Sequence, residues 1–126
     1  MTPKLAFSLR VSAAVLVLAA GAVHLYLYFD FFHAVHVIGA LFVLNAVAAA
    51  VIALALLLTD RPLVAWAGIA YAAGTLGAFF LSVHNGLFGY TERLSGGWQE
   101  AALALELGAI LVLFPLVAGA RQLTRA

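Results

Sequence analysis

The chain has 126 residues, of which 67% are hydrophobic and 9% are charged, and its formal net charge is +1. A soluble domain is about half apolar and about a quarter charged, so this composition excludes a water-soluble globular protein and predicts an integral membrane protein. The near-neutral charge, with no basic stripe or nucleic-acid motif, argues against a nucleic-acid partner, and the absence of cysteine excludes disulfides, thiolate metal ligands, iron–sulfur clusters and disulfide exchange with quinones.

Four apolar runs divide the chain, at about residues 11–29, 34–58, 63–84 and 99–120. Each run has about the 20 residues that a helix needs to cross a hydrocarbon core of about 30 Å. The strands of a membrane β-barrel would be about half as long and would alternate in polarity. The pattern therefore predicts an all-α, four-helix transmembrane bundle in a lipid bilayer, formed by a single integral membrane domain over residues 1–126.

The first run has a second interpretation, because Lys4 and Arg10 precede it and small residues occupy positions 20–22. Basic residues, an apolar core and a small-residue site are typical of a cleavable signal peptide, and loss of residues 1–23 would leave three spans. The apolar run continues past this site to Phe32, which favours a retained span. The sequence leaves both interpretations open.

The connections between the runs carry turn signals. Residues 59–62, T-D-R-P, predict a tight turn in which Pro62 opens the third helix. Residues 85–98 form the longest loop, and Ser95 or the adjacent glycines are candidates to cap the fourth helix. Pro115 predicts a kink late in that helix.

The basic residues predict the orientation of the bundle. Four spans place both termini on one side, and five of the six basic residues lie on that side: Lys4, Arg10, Arg61, Arg121 and Arg125. Arg93 lies on the other side. Because cytoplasmic segments are enriched in Lys and Arg, both termini are predicted to be cytoplasmic, in a multi-pass protein of the plasma (inner) membrane. All four histidines then lie toward the outer side.

His24 and Glu106 are predicted to lie at similar depth, about 9 Å and about 10 Å inside the outer ends of the first and fourth spans. An unpaired carboxylate at that depth costs about 2.5–3.5 kcal/mol or more, so Glu106 should face the bundle interior and either pair, with His24 as its natural partner, or be protonated. A functional interpretation makes the two a proton relay or a pair of metal ligands. A structural interpretation is that the two side chains form a buried hydrogen bond that fixes helix register.

The other histidines give weaker metal candidates. His33 and His36 are three residues apart, a spacing that puts two imidazoles on one helix face, where they can bind zinc or copper. They could instead be two interfacial side chains in a wet turn. We favour that interpretation, because a motif of two histidines alone is a weak signal. The metal candidates are therefore His24, His33, His36, His84 and Glu106.

A haem site would require two histidines at one depth on different helices, and His24 with His84 is the obvious pair. The depths match only if the third span continues toward Tyr90, and the Asn85-Gly86 pair argues against that. No cofactor is required by the sequence.

Two further features lie within the spans. Asn45, about eleven residues into the second span, is predicted to hydrogen-bond to another helix near the midplane or to line a pathway. A stripe of small residues on the third span predicts a close-packing face, within the chain or against a partner. The stripe consists of Ala70, Gly74, Gly77 and Ala78.

Three segments together carry a resemblance to a known group of proteins: A-G-A-V-H-L at 20–25, V-I-G-A-L-F-V-L-N at 37–45 and G-L-F-G-Y-T-E at 86–92. They resemble a pattern in small four-span membrane proteins of high-GC actinobacteria, a largely uncharacterised group. The resemblance covers most of the chain and implies four spans but no reaction. Its matching polar positions are His24, Asn45 and Glu92, whereas His33 and His36 fall outside it.

The sequence contains no nucleotide-binding loop, nucleophile elbow or paired catalytic carboxylates with a credible pocket, so we expect no enzymatic activity. The leading hypothesis is an accessory or stabilising subunit of a larger membrane complex, associating with other subunits or with itself. One alternative is an outward-facing metal- or haem-binding protein that uses His24, His84 and Glu106. Another is a small proton-coupled transporter that uses Glu106 and Asn45.

Overall fold

The computed structural model describes residues 1–92 and 97–125, with side chains described as far as Gly119. This part of the chain forms α1 (Pro3–Asp30), α2 (Ile38–Leu58), α3 (Pro62–Asn85) and α4 (Gly97–Arg125), with a short 3₁₀ helix at Phe32–Ala34. All four α-helices are long and apolar enough to cross a membrane. The predicted four-helix transmembrane bundle is confirmed, whereas the cytoplasmic location of the termini stays a prediction.

Two helices begin at positions that differ from the apolar runs. α1 begins at Pro3 because the Thr2 side chain caps it, accepting a hydrogen bond from the Leu5 backbone N–H at 3.1 Å. α2 begins at Ile38 because Val37, with a φ of 67°, interrupts the helical backbone. Asn45 therefore lies about 10 Å into α2, closer to its first turn than the predicted midplane position.

The predicted capping of α4 by Ser95 lies outside the described residues, as does Arg93. The side chains of Arg121 and Arg125 also lie outside them, so the charge asymmetry is described only in part. Pro115 lies inside α4, and the kink predicted there stays a prediction.

α1 is an integral part of the bundle core. It packs against both α2 and α4, and its residues Ala13, Val17 and Ala20 are buried. At Gly21 the two backbones approach so closely that a Cβ atom would overlap the Cβ of Ala49 in α2. Such small residues allow close helix packing in membranes. Residues 1–23 therefore supply core contacts that a three-span chain would lack.

The second close approach joins α3 and α4. A Cβ atom at Gly68 would lie 2.6 Å from Cδ1 of Leu113, a fully buried side chain. The α1–α2 and α3–α4 pairs are thus tightly packed, and contacts between α1 and α4 hold the two pairs together. α2 and α3 contact each other much less, although only residues 59–61 separate them. We call this looser contact the α2–α3 seam.

The two ends of the bundle differ in structure. At the end that holds both termini, which we call the terminal end, the Arg10 side chain closes α2. Its Nε donates to the Leu56 carbonyl at 2.9 Å and its Nη2 donates to the Leu57 carbonyl at 3.4 Å. These bonds satisfy carbonyls that the last turn of a helix leaves without partners.

At the opposite end, which we call the loop end, residues 86–92 fold back over the bundle. Leu87 and Tyr90 exchange two backbone hydrogen bonds of 2.7 and 2.9 Å around a tight turn. Ser82 fixes this turn to α3, since its Oγ donates to the Tyr90 carbonyl at 3.1 Å and accepts from the Glu92 N–H at 3.0 Å. The Tyr90 ring packs edge-on against Phe32 at 5.3 Å. The loop therefore closes over the core.

Candidate functional site

A pocket of about 370 Å³ opens at the α2–α3 seam toward the loop end. α2 contributes Leu41 and Leu44 to its walls, and α3 contributes Gly74 and Ala78. Leu44 is 61% exposed and Gly74 is also exposed, so the pocket opens sideways, onto the surface that faces hydrocarbon in a bilayer. Its volume lies within the range of pockets that bind small molecules.

α1 and α4 also line the pocket, and the polar side chains that they contribute are His24, Gln99 and Glu106. His24 is 8% exposed and Glu106 is 1% exposed. The Nε2 atom of His24 lies 3.8 Å from the Oε1 atom of Glu106, a distance too long for a hydrogen bond. The structure thus brings these two predicted residues together across the α1–α4 contact.

The hydrogen bonds of His24 define what it presents to the pocket. Its Nδ1 lies 2.8 Å from the Ala20 carbonyl oxygen, and because a carbonyl only accepts, Nδ1 carries a hydrogen and donates it. In the neutral ring, Nε2 then has a free lone pair that faces Glu106. No hydrogen-bond partner for Oε1 of Glu106 occurs within residues 1–92 and 97–119. A buried polar atom without a partner costs about 1–3 kcal/mol, so this oxygen would be stabilised by a partner beyond those that the described residues provide.

A network of three side chains crosses the seam within the pocket. Tyr71 Oη donates to Asn45 Oδ1 at 2.7 Å, and Asn45 Nδ2 donates to Thr75 Oγ1 at 3.0 Å. Thr75 in turn donates to the Tyr71 carbonyl at 2.9 Å. The interhelix hydrogen bonds expected of Asn45 are therefore present, and they join α2 to α3 where the two helices otherwise make few contacts.

The remaining histidines lie apart from this pocket. His33 and His36 are exposed at the loop end, where His33 Nδ1 donates to the Tyr28 carbonyl at 2.9 Å. His84 is also exposed and does not line the pocket that holds His24. Across the described ranges 1–92 and 97–125, no three or more side chains of His, Asp or Glu converge to hold a metal ion. Of the metal candidates, the structure brings His24 and Glu106 together at the pocket. His33 lies in the 3₁₀ helix and His36 in the turn that follows it, so the predicted shared helix face of these two is wrong.

The small-residue stripe on α3 faces outward. A Cβ atom at Gly74 or Gly77 would meet no described atom within 4 Å, and Ala70 is exposed. Gly74 and Ala78 line the pocket, whereas Gly77 does not. Close packing of this face against a partner helix stays a prediction.

Sequence reasoning missed Tyr71, Thr75 and Ser82, which give the pocket its polar groups on α3. Their spacing of four and then seven residues puts all three on one face of a helix. A polar stripe along an otherwise apolar span is the signal that would have found them.

No family model matches this chain, and neither the curated proteins nor the solved structures contain a match to it. The resemblance to small four-span proteins of high-GC actinobacteria therefore stays a prediction. Its three matching polar positions, His24, Asn45 and Glu92, all line the pocket.

Proposed function

We propose that this protein binds a lipid-soluble small molecule with a polar head group, in the outer half of the plasma membrane. The observation that carries the proposal is the buried carboxyl group of Glu106, whose Oε1 has no partner in the described residues, in the wall of a pocket that opens sideways at the α2–α3 seam. A polar group from a bound molecule would supply the missing partner.

Entry through the seam suits a ligand that is dissolved in the bilayer. The opening lies beside exposed apolar side chains such as Leu44, so a ligand reaches it from the hydrocarbon without passing through water. An apolar tail gains little from burial in such a pocket, because lipid chains are as apolar as leucine. Affinity must therefore come from packing and from hydrogen bonds to the polar wall, which are strong where water is excluded.

We propose binding without a catalysed reaction. His24 and Glu106 are hydrogen-bonding groups in this account, and the sequence has no recognised catalytic motif. The polar positions His24, Asn45 and Glu92 that carry the resemblance to actinobacterial proteins support a shared site, since all three line the pocket.

Photolabelling tests the proposal. The protein in lipid nanodiscs would be irradiated with a diazirine-bearing alkylphenol, and the labelled peptides identified by mass spectrometry. We expect labels on the pocket walls at Leu41, Leu44 and Phe79. The Gly74→Leu variant would place a bulky side chain at the opening, where the structure leaves space for it, and should lose most of the labelling.

Gly77→Leu is the matched control, because Gly77 lies on the same helix in equally open space but does not line the pocket. This variant should be labelled like the wild type. Equal labelling of both variants, or labels spread evenly over all lipid-facing helices, would show that the pocket does not bind the probe.

A second candidate function is that of an accessory subunit of a larger membrane complex. It is favoured by the exposed small residues Ala70 and Gly77 of the α3 stripe, which would let a partner helix approach closely. Gentle extraction from the native membrane followed by native mass spectrometry tests it. A partner that is lost in Gly77→Leu supports this role, and a solitary monomer contradicts it.

A further inference from the structure

The distance between His24 and Glu106 matches a bridge by one oxygen atom. An oxygen placed about 2.8 Å from both Nε2 of His24 and Oε1 of Glu106 spans their 3.8 Å separation with an angle of about 85° at the oxygen. The separation is therefore short enough for one oxygen to form hydrogen bonds of ordinary length with both atoms. Both side chains line the pocket, so the bridging atom can belong to a ligand.

The chemistry of the two side chains restricts the bridging group. Because Nδ1 of His24 donates to Ala20, only Nε2 is left to face Glu106. If the pair is neutral, the Glu106 carboxylic acid donates and Nε2 accepts. If the pair is ionised, Nε2–H donates and the Glu106 carboxylate accepts. In either state the pair offers one donor and one acceptor.

A hydroxyl group is the bridge that fits both states, since its oxygen accepts one hydrogen bond while its hydrogen donates the other. A carbonyl or ether oxygen only accepts, so it would leave one member of the pair without a partner. An ammonium group only donates, and its charge is costly to place inside a bilayer.

We infer that the ligand is a lipid-soluble alcohol or phenol whose hydroxyl group bridges His24 and Glu106. This inference rests on the proposed ligand-binding function and adds the chemical class of the head group. The ring of Phe42 lies 5.1 Å from the His24 ring and also lines the pocket, so an apolar ring or chain next to the hydroxyl meets an apolar wall.

A matched pair of probes tests the inference. 4-Octylphenol and its methyl ether, 4-octylanisole, are close in shape, but only the phenol can donate a hydrogen bond. Binding of each tritiated compound to proteoliposomes would be measured against lipid-only vesicles, which corrects for partitioning. We expect the phenol to bind about tenfold to a hundredfold more tightly than the ether, because the ether leaves a buried group without a partner.

Two variants of Glu106 show whether the hydroxyl bridge is responsible. Glu106→Gln keeps one donor and one acceptor and should keep most of the preference for the phenol. Glu106→Leu removes both and leaves the phenol only Nε2 of His24 as an acceptor, so we expect its preference over the ether to fall about fivefold or more, with binding of the ether maintained as evidence of an intact pocket.

The outcomes separate the two proposals. Equal affinity of the wild type for phenol and ether, or tighter binding of 4-octylbenzylammonium than of the phenol, would overturn the hydroxyl bridge while ligand binding stands. A preference for the phenol that is undiminished in Glu106→Leu would also overturn it. No binding of any probe above the lipid-only vesicles would overturn both proposals.

Discussion

The Nε2 atom of His24 lies 3.8 Å from the Oε1 atom of Glu106, and the two side chains reach each other from helices at opposite ends of the chain. Nδ1 of the histidine is held by the Ala20 carbonyl, whereas the carboxyl oxygen has no hydrogen-bond partner among the described residues. A pair that served only to fix helix register would be expected to meet directly. The 3.8 Å separation and the adjoining pocket instead favour a site in which a bound molecule links the two side chains.

The unpartnered oxygen predicts an unusual effect of Glu106→Leu on stability. Removal of a buried polar atom that makes no hydrogen bond removes its desolvation cost, so the variant should be as stable as the wild type or about 1 kcal/mol more stable. The free energy of unfolding in detergent micelles checks this. A loss of about 2 kcal/mol or more would show that Glu106 has a structural partner.

The network across the seam predicts graded losses of stability. Asn45→Val removes both interhelix hydrogen bonds, and Tyr71→Phe removes one. Because interhelix hydrogen bonds in membranes contribute about 0.6 kcal/mol each on average, we expect losses of about 1.2 and about 0.6 kcal/mol. Equilibrium unfolding in bicelles measures both variants. Equal effects of the two would contradict a network in which Asn45 has two partners.

The close contact between α1 and α2 predicts a strong effect of Gly21→Ala. The added methyl group overlaps the Cβ of Ala49, so the two helices must separate, at a cost of about 1–3 kcal/mol. Gly77→Ala is the control, because its methyl group would meet no described atom within 4 Å, and we expect a change below about 0.5 kcal/mol. Thermal unfolding of the two variants in one detergent compares them. A similar melting temperature for both would contradict the described packing.

The absence of cysteine makes the predicted orientation straightforward to test. Asp60→Cys places a thiol at the terminal end, and Phe88→Cys places one at the loop end, and both positions are exposed. Because the basic residues predict cytoplasmic termini, a membrane-impermeant maleimide should label Phe88→Cys in intact cells and Asp60→Cys only after permeabilisation. The reverse pattern would show that the bundle has the opposite orientation.

Hydropathy was sufficient to predict the helices, because each apolar run is long enough to cross a bilayer. It misplaced the start of α2, since Ala34, Val35 and Val37 continue the apolar run, and the break depends on the backbone conformation at Val37. The helical rise was also sufficient to place His24 and Glu106 at similar depth. The distance between the two atoms depends on how α1 and α4 pack, which the sequence does not specify.

The pocket was not predictable from the sequence. Apart from Asn45, α2 is apolar on all sides, so its pattern does not indicate where α2 and α3 separate. The sequence predicts Gly74 as a packing residue but does not indicate the pocket that it lines. The polar stripe on α3 marks the face of Tyr71, but its hydrogen bond depends on the position of Asn45 in another helix.

The molecules that co-purify with the protein from its own membrane test the central claim most directly. Organic extracts of the purified wild type, Gly74→Leu and Gly77→Leu proteins would be compared by mass spectrometry. We predict one hydroxyl-bearing, lipid-soluble compound in near-stoichiometric amount with the wild type and Gly77→Leu, and at least about tenfold less of it with Gly74→Leu. Identical extracts from all three proteins would contradict a ligand bound in the pocket at the α2–α3 seam.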